Sequence, residues 1–359
     1  MKRNTRKVLQ LTAISLFLFC SFELISGYVS WLRASSGRFG SLNLVSNALE
    51  RFKQIGEKSP QVEVSYMPSS PYISHPVYGY WHRPGESKVL ITDSSGKEYS
   101  FTMGFSADGS RRSPAGIPSC SVLREDCIDV LVLGDSYLEG YGLNDESVFS
   151  AVLQVLSPQL SIRNHAGGGF GNTHALLQLE NLSSKNKKAP DVLIVGYGDY
   201  YLQRNVAAPE RMKTYKVGKS FASSHADLSD FFHPRASLKD GKLHLDSVPL
   251  FWSQSKGIVK ETDISEQIKI TKLVLGSIYD QAKAWGVKHV WIAYLSGGMT
   301  DDPVISDAVR KGYSIIDLRR NLGPIIDSDG VPLDGHPGAL AHNTYARKIK
   351  NFFDLHGMH

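Results

Sequence analysis

Val130-Leu-Val-Leu-Gly-Asp-Ser-Tyr-Leu-Glu-Gly-Tyr-Gly142 decides the reading of this chain. An apolar, β-branched run stops abruptly at Gly134-Asp135-Ser136, and a glycine-rich turn and an amphipathic helix follow. This is the pattern of a buried parallel strand that ends in a tight turn. It sets the Ser136 hydroxyl at the carboxyl edge of the sheet, where open α/β sheets place their chemistry. A serine hydroxyl is a weak nucleophile until a base takes its proton. Near the other end of the chain, Asp334-Gly335-His336-Pro337 offers a base and a carboxylate to orient it.

Outward from that stretch, strands and helices alternate. Ile128 to Leu133 reads as the first strand, Leu160 to Arg163 as the second, and Asp191 to Val195 as the third. Val287 to Leu295 and Tyr313 to Leu318 read as the fourth and fifth. Helical spacing marks Val148 to Leu156, capped by Asn144 or Asp145, then Thr173 to Leu182, Glu266 to Trp285 and Ala339 to Leu355. Alternation at these lengths predicts an α/β fold with a parallel sheet covered on both faces. Between Asn205 and Asp263 the periodicity is lost, and residues 205–263 read as an insertion, placed as a lid over the site. Residues 61–127, rich in Pro, Ser and Gly with short alternating runs such as Lys88 to Thr92, read as a small β-rich preface to the domain at 128–359.

The chain has 359 residues and a net charge of +5, enough for one large core plus a smaller module. Lys and Arg are scattered, which argues against a nucleic-acid partner. The exceptions are the short run Lys185 to Lys188, read as a solvated helix end or loop, and the N-terminus, where Lys2, Arg3, Arg6 and Lys7 precede an apolar run from Val8 to Phe22, interrupted by Glu23 and resumed to Leu32. A membrane span needs ~20 mostly apolar residues. The basic flank holds its own side in the cytoplasm, and Tyr28 and Trp31 suit the opposite interface. Residues 1–32 are therefore expected to form an uncleaved single-pass anchor and 33–60 a stalk, with the body outside the membrane. Cys120 and Cys127, in such an oxidising setting, either close a small disulfide loop or remain thiols. Their spacing does not fit a zinc site, and no metal is expected.

Three further groups complete the candidate site. His342 is a rival base to His336, and Asp327 or Asp329 rival Asp334 as the carboxylate. The stretch Asn164-His-Ala-Gly-Gly-Gly-Phe-Gly171 follows the second strand, and its glycines let backbone N–H groups approach a substrate. The Gly169 amide is the expected oxyanion donor.

With these motifs in view, residues 128–355 resemble the SGNH, or GDSL-type, esterase and acyltransferase superfamily. Gly134 to Phe149 resembles its first block, Asn164 to Gly169 its second, and Asp334-Gly-His-Pro its last. The resemblance implies a three-layer, flavodoxin-like parallel sheet, with Ser136 as nucleophile, His336 as base, Asp334 as its partner, and the Ser136 and Gly169 amides serving the oxyanion. It implies no cofactor. The basic anchor and preface are similar to those of exported bacterial members, which implies the inner membrane with the catalytic domain in the periplasm. The third block departs from the family. Its Gly-x-Asn-Asp is replaced by Val195-Gly-Tyr-Gly-Asp-Tyr-Tyr-Leu-Gln-Arg-Asn205, with Asp199 near the place of an oxyanion donor. Asn205, Arg204 or Asn172 is expected to substitute. Losing one such donor costs ~2.7–4 kcal/mol.

The function expected from all of this is that of an exported esterase or O-acyltransferase, working through an acyl-serine on an acylated envelope glycan. Tyr197, Tyr200, Tyr201 and Trp252 either stack on a sugar or pack in the core. The alternatives are a non-catalytic glycan-binding protein on a hydrolase scaffold and a lipase- or thioesterase-type hydrolase.

Overall fold

The computed structural model describes residues 62–114, 120, 127–185, 188–215, 230–297, 302–319 and 335–358. The expected anchor and stalk lie outside the described residues. Among the described residues no helix is long and apolar enough to cross a membrane.

The preface folds as strands β1 (Val62–Met67), β2 (Tyr72–His75), β3 (Gly79–His82), β4 (Gly85–Asp93) and β5 (Glu98–Phe105). β1, β4 and β5 form an antiparallel sheet in the order β1-β4-β5, and β2 and β3 form a hairpin. Strand alternation puts Val89, Ile91, Phe101, Met103 and Phe105 on one buried face, against Tyr141 of the following domain. The Arg111 amide donates to the Asn164 carbonyl at 2.8 Å, which ties the preface to the domain's sheet. Cys120 and Cys127 are joined by a disulfide.

The main domain runs through β6 (Ile128–Leu133), α1 (Ser136–Glu139), α2 (Phe149–Leu156), β7 (Leu160–Asn164), α3 (Asn172–Ser184) and β8 (Val192–Gly198). Short helices α4 (Tyr201–Asn205) and α5 (Pro209–Met212) lead into the hairpin β9 (Phe232–Lys239) and β10 (Lys242–Pro249). Then come α6 (Trp252–Ser255), α7 (Ile264–Trp285), β11 (His289–Ser296), α8 (Pro303–Lys311), β12 (Ser314–Asp317) and α9 (Ala339–Leu355). The sheet is parallel throughout, in the order β12-β11-β8-β6-β7. Counted within the sheet, that is the 2-1-3-4-5 flavodoxin-like order, whose switch point lies between β6 and β8.

Because successive strand residues face opposite sides, β6 serves both layers. Leu131 and Leu133 pack with α3 and α7, while Val130 and Val132 pack with α2 and α9. The 205–263 insertion differs from the expected lid in one respect. Ala236, Leu238, Leu243 and Leu245 of its hairpin join the core cluster that contains α7, so the hairpin is a buttress of the domain. Gly79, with φ +81°, sits where any Cβ would collide with the Phe232 carbonyl, so the β2–β3 hairpin meets β9 at a glycine.

Candidate active site

Ser136 follows β6 directly and is the first residue of α1. The Asp135 side chain caps this short helix by accepting from the Tyr137 amide at 3.2 Å, and Gly140, in the left-handed region, ends it. The Asn164 side chain donates to the Leu138 carbonyl at 2.7 Å, and the Gly167 amide to the Gly134 carbonyl at 3.0 Å. These bonds fix both the serine turn and the glycine loop beside it. The N–H groups of Ser136 and Gly169 meet no protein acceptor among the described residues.

From the far end of the chain, His336 brings its Nε2 to 3.0 Å from the Ser136 Oγ. Its ring lies between Tyr141, 4.9 Å away between centroids, and Tyr137, at 5.7 Å. The rival His342 is fully buried on α9. Its Nδ1 accepts from the Phe149 amide at 3.1 Å, and its ring packs on Phe149 and Tyr345. Asp334, Asp327 and Asp329 all lie outside the described residues.

The three side chains considered as replacement oxyanion donors separate cleanly. Asn172 and Asn205 are not brought to the serine. The Asn172 amide donates to the Gly196 carbonyl at 2.9 Å, tying α3 to β8. Asn205 donates to the Thr271 hydroxyl at 3.0 Å and accepts from the Thr173 amide at 3.2 Å, joining α4, α3 and α7. Both are buried packing joints whose polar groups are spent on one another's helices. Arg204 does reach the cavity over Ser136, but its Nη1 donates to Asp135 Oδ2 at 2.6 Å and to the Phe170 carbonyl at 2.9 Å. Burial opposes the guanidinium charge, and the Asp135 carboxylate overcomes this, so its pKa lies above the ordinary arginine value. Asp199 accepts from the Ser296 hydroxyl and from the Tyr200 amide, both at 2.9 Å, and does not line the cavity. Tyr197 and Tyr201 belong to the core beneath.

The cavity that opens on Ser136 and His336 holds about 330 Å³. Its walls come from outside the parallel-sheet pattern. Tyr72 and Tyr80 enter from the preface, and Arg211, Tyr215, Leu250 and Phe251 from the insertion. Tyr80 and Tyr215 donate their hydroxyls to the carbonyls of Gly168, at 2.8 Å, and Gly169, at 3.1 Å. A Cβ on Gly169 would lie 2.7 Å from the Tyr215 hydroxyl, 2.9 Å from that of Tyr80 and 3.0 Å from Arg211 Nη2. The glycine run therefore makes room for the aromatic wall as well as for a substrate. Tyr72 donates to Glu139 Oε1 at 3.1 Å, and His82 Nε2 lies 2.9 Å from the same oxygen. Burial first, and the Glu139 carboxylate second, push the Tyr72 phenol well above its ordinary pKa. Thus a buried pair locks the preface onto the helix that carries the serine.

Sequence reading missed these wall residues. The one local signal for them was the density of rings in Tyr72 to His82, Tyr-Ile-Ser-His-Pro-Val-Tyr-Gly-Tyr-Trp-His.

No family model and no curated protein matches the chain. Among solved structures it is similar to a member of the lipolytic G-D-S-L family from Veillonella parvula. That match has 12% identity, covers 64% of this chain and 99% of that chain, and has a TM-score of 0.36. It is also similar to a psychrotrophic esterase from Pseudoalteromonas sp., at 12% identity, 63% and 98% coverage and a TM-score of 0.36. A third is an acetyl xylan esterase from Geobacillus stearothermophilus, at 12% identity, 63% and 95% coverage and a TM-score of 0.35.

Proposed function

We propose that this protein is an exported serine esterase or O-acyltransferase. One observation carries the reading. A serine at the carboxyl end of β6, at the sheet's switch point, has an imidazole nitrogen 3.0 Å from its oxygen. Nothing in core packing calls for that contact. It is the geometry a general base needs to take the hydroxyl proton.

In this reading Ser136 Oγ attacks an ester carbonyl while its proton passes to His336 Nε2. The tetrahedral oxyanion is received by the Ser136 and Gly169 amides. As the intermediate collapses, His336 returns the proton to the departing alcohol and leaves an acyl group on Ser136. Water then completes hydrolysis, or a sugar hydroxyl completes transfer, with His336 again as base. Asp334 orients the imidazole. Arg204 holds Asp135, and through it the serine turn, rather than donating to the oxyanion. The cavity is at the small end of ligand pockets and is rimmed with phenols, which suits a short acyl group on a sugar better than a long lipid chain. The anchor at residues 1–32 would hold this domain on the periplasmic face of a bacterial inner membrane, within reach of envelope glycans.

The test is a fluorophosphonate probe applied to the purified protein beside a Ser136→Ala variant, followed by a panel of acetylated glycans. Labelling of the wild type alone is expected. A folded wild type that takes no label would sink the proposal.

A further inference from the structure

We propose that the cavity over Ser136 takes a substrate bearing a carboxylate or phosphate group, with Arg211 as its counter-ion. The inference rests on the esterase reading and names the class of ester.

Three observations carry it. Arg211 lines the cavity that holds Ser136 and His336. Its Nη2 donates to the Tyr215 hydroxyl at 2.9 Å, and its guanidinium carbon lies 4.6 Å from the Tyr215 ring centroid. The side chain is therefore held in place. Among the described residues no carboxylate pairs with Arg211, and its Nε is buried with no acceptor. An unmet Nε is shared by Arg111 and Arg204 and does not set Arg211 apart, but those and the other buried or half-buried arginines each have a carboxylate. Arg204 pairs with Asp135 at 2.6 Å, Arg111 with Asp145 at 2.9 Å, Arg163 with Asp129 at 2.8 Å and Arg235 with Asp246 at 2.8 Å.

A guanidinium presents its donors in a rigid fork that fits two oxygens of a carboxylate or phosphate. A guanidinium held at a cavity wall with no carboxylate partner is completed by an anion that enters the cavity. Among the described residues, the carboxylates beside the serine turn are already engaged, Asp135 by Arg204 and Glu139 by His82 and Tyr72. Arg211 Nη2 lies 3.0 Å from the point where a Cβ on Gly169 would sit, beside the amide proposed for the oxyanion. An anionic group at Arg211 would therefore lie on the same small ligand as the reacting carbonyl.

The anion can belong to the acyl part of the ester or to its alcohol part, and the test separates them. The full-length protein is assayed with 4-nitrophenyl acetate against the 4-nitrophenyl monoester of succinate, which puts the carboxylate on the acyl side. Phenyl acetate against 3-acetoxybenzoate puts it on the alcohol side. In at least one pair the anionic ester should have the higher kcat/KM, by about tenfold or more. Arg211→Gln should bring that ratio down towards one. Arg211→Lys, which keeps the charge and loses the fork, should give an intermediate ratio. Circular dichroism confirms that each variant is folded. Turnover of the neutral esters with no anionic preference in either pair overturns the inference and leaves the esterase reading standing. A preference that survives Arg211→Gln overturns the role of Arg211. Failure of the wild type both to take the fluorophosphonate and to turn over any ester overturns the esterase reading, and this inference with it.

Discussion

The edge of the sheet that carries Ser136 and the wall that faces it are built from different kinds of sequence. The edge comes from a buried strand, a capped turn and a glycine loop, tied to one another by hydrogen bonds such as Gly167 to Gly134 and Asn164 to Leu138. The wall comes from a β-hairpin before the domain and an insertion within it, and its rings reach the cavity from positions far apart in the chain. Where the two meet, the contacts are polar and buried. Glu139 of α1 is held by His82 and Tyr72 of the preface, and Asp135 by Arg204 of α4, just before the insertion. The edge sets what reaction is available, and the wall sets what fits beside it. The two kinds of region should therefore respond differently to substitution.

The largest expected difference is in turnover. Ser136→Ala or His336→Ala should each lower ester turnover by ~10⁴–10⁶-fold, and the double variant should be no worse than either single one, because the two groups act as a unit. Losses that multiply in the double variant would separate the pair and break the assignment of the edge. The seam between edge and wall should show itself in stability. Arg204→Met leaves the Asp135 carboxylate buried and unpaired, and should cost about 3–5 kcal/mol in urea unfolding. Adding Asp135→Asn should recover part of that loss. His82→Ala removes one of two partners of the buried Glu139 oxygen, and should cost about 1–3 kcal/mol. An unchanged unfolding midpoint in either single variant would mean that the preface and insertion merely lie against the domain.

The same contrast explains what could be read in advance. β6 and α9 fall where their apolar periodicity puts them, at Ile128–Leu133 and Ala339–Leu355, because that periodicity is a local property of a buried element. α8 carries a full set of end signals, Asp302 as cap, Pro303 at the first position and Gly312 after the end. It was missed although Val304 and Ala308 form a buried stripe, because that stripe spans little more than one turn. The hairpin β9–β10 was not distinguished within the 205–263 insertion because its inward residues Leu238, Leu243 and Leu245 are only half-buried. At the site, Ser136 and His336 can be nominated from their turn and loop, but the 3.0 Å contact between them is set by the closing of the sheet. Asn172 and Asn205 show the limit of residue type as evidence. Each has the chemistry of an oxyanion donor, and each spends it on packing α3 against its neighbours. Arg211 and Tyr215 carried no local mark, because what distinguishes them is which distant surface they face.

The smallest expected effect probes the deepest part of the seam. His174 of α3 and His233 of β9 are fully buried, with ring centroids 4.9 Å apart behind the cavity wall. His174 Nδ1 accepts from the Gly171 amide at 3.1 Å, which requires its neutral ring, and His233 Nε2 donates to the Arg204 carbonyl at 2.8 Å while its buried Nδ1 has no acceptor among the described residues for a second proton. Burial, assisted by the nearby arginines, lowers both pKa values, that of His233 to about 3 and that of His174 well below the ordinary value. Unfolding returns each to about 6.5. Below that pH the unfolded chain binds the protons that the folded chain refuses, so stability falls as pH falls. Each histidine's contribution is fully present above the unfolded pKa and is lost progressively towards the folded one. From about pH 6.5 to about pH 5.5 the loss from His233 should be about 1 kcal/mol. His233→Gln keeps a donor for the Arg204 carbonyl and removes one titration. The fall in unfolding free energy over that window should shrink by about 1 kcal/mol. Equal falls in the wild type and the variant, measured by urea unfolding at the two pH values, would mean that the His233 pocket admits water or a proton and that the wall is looser than its packing shows.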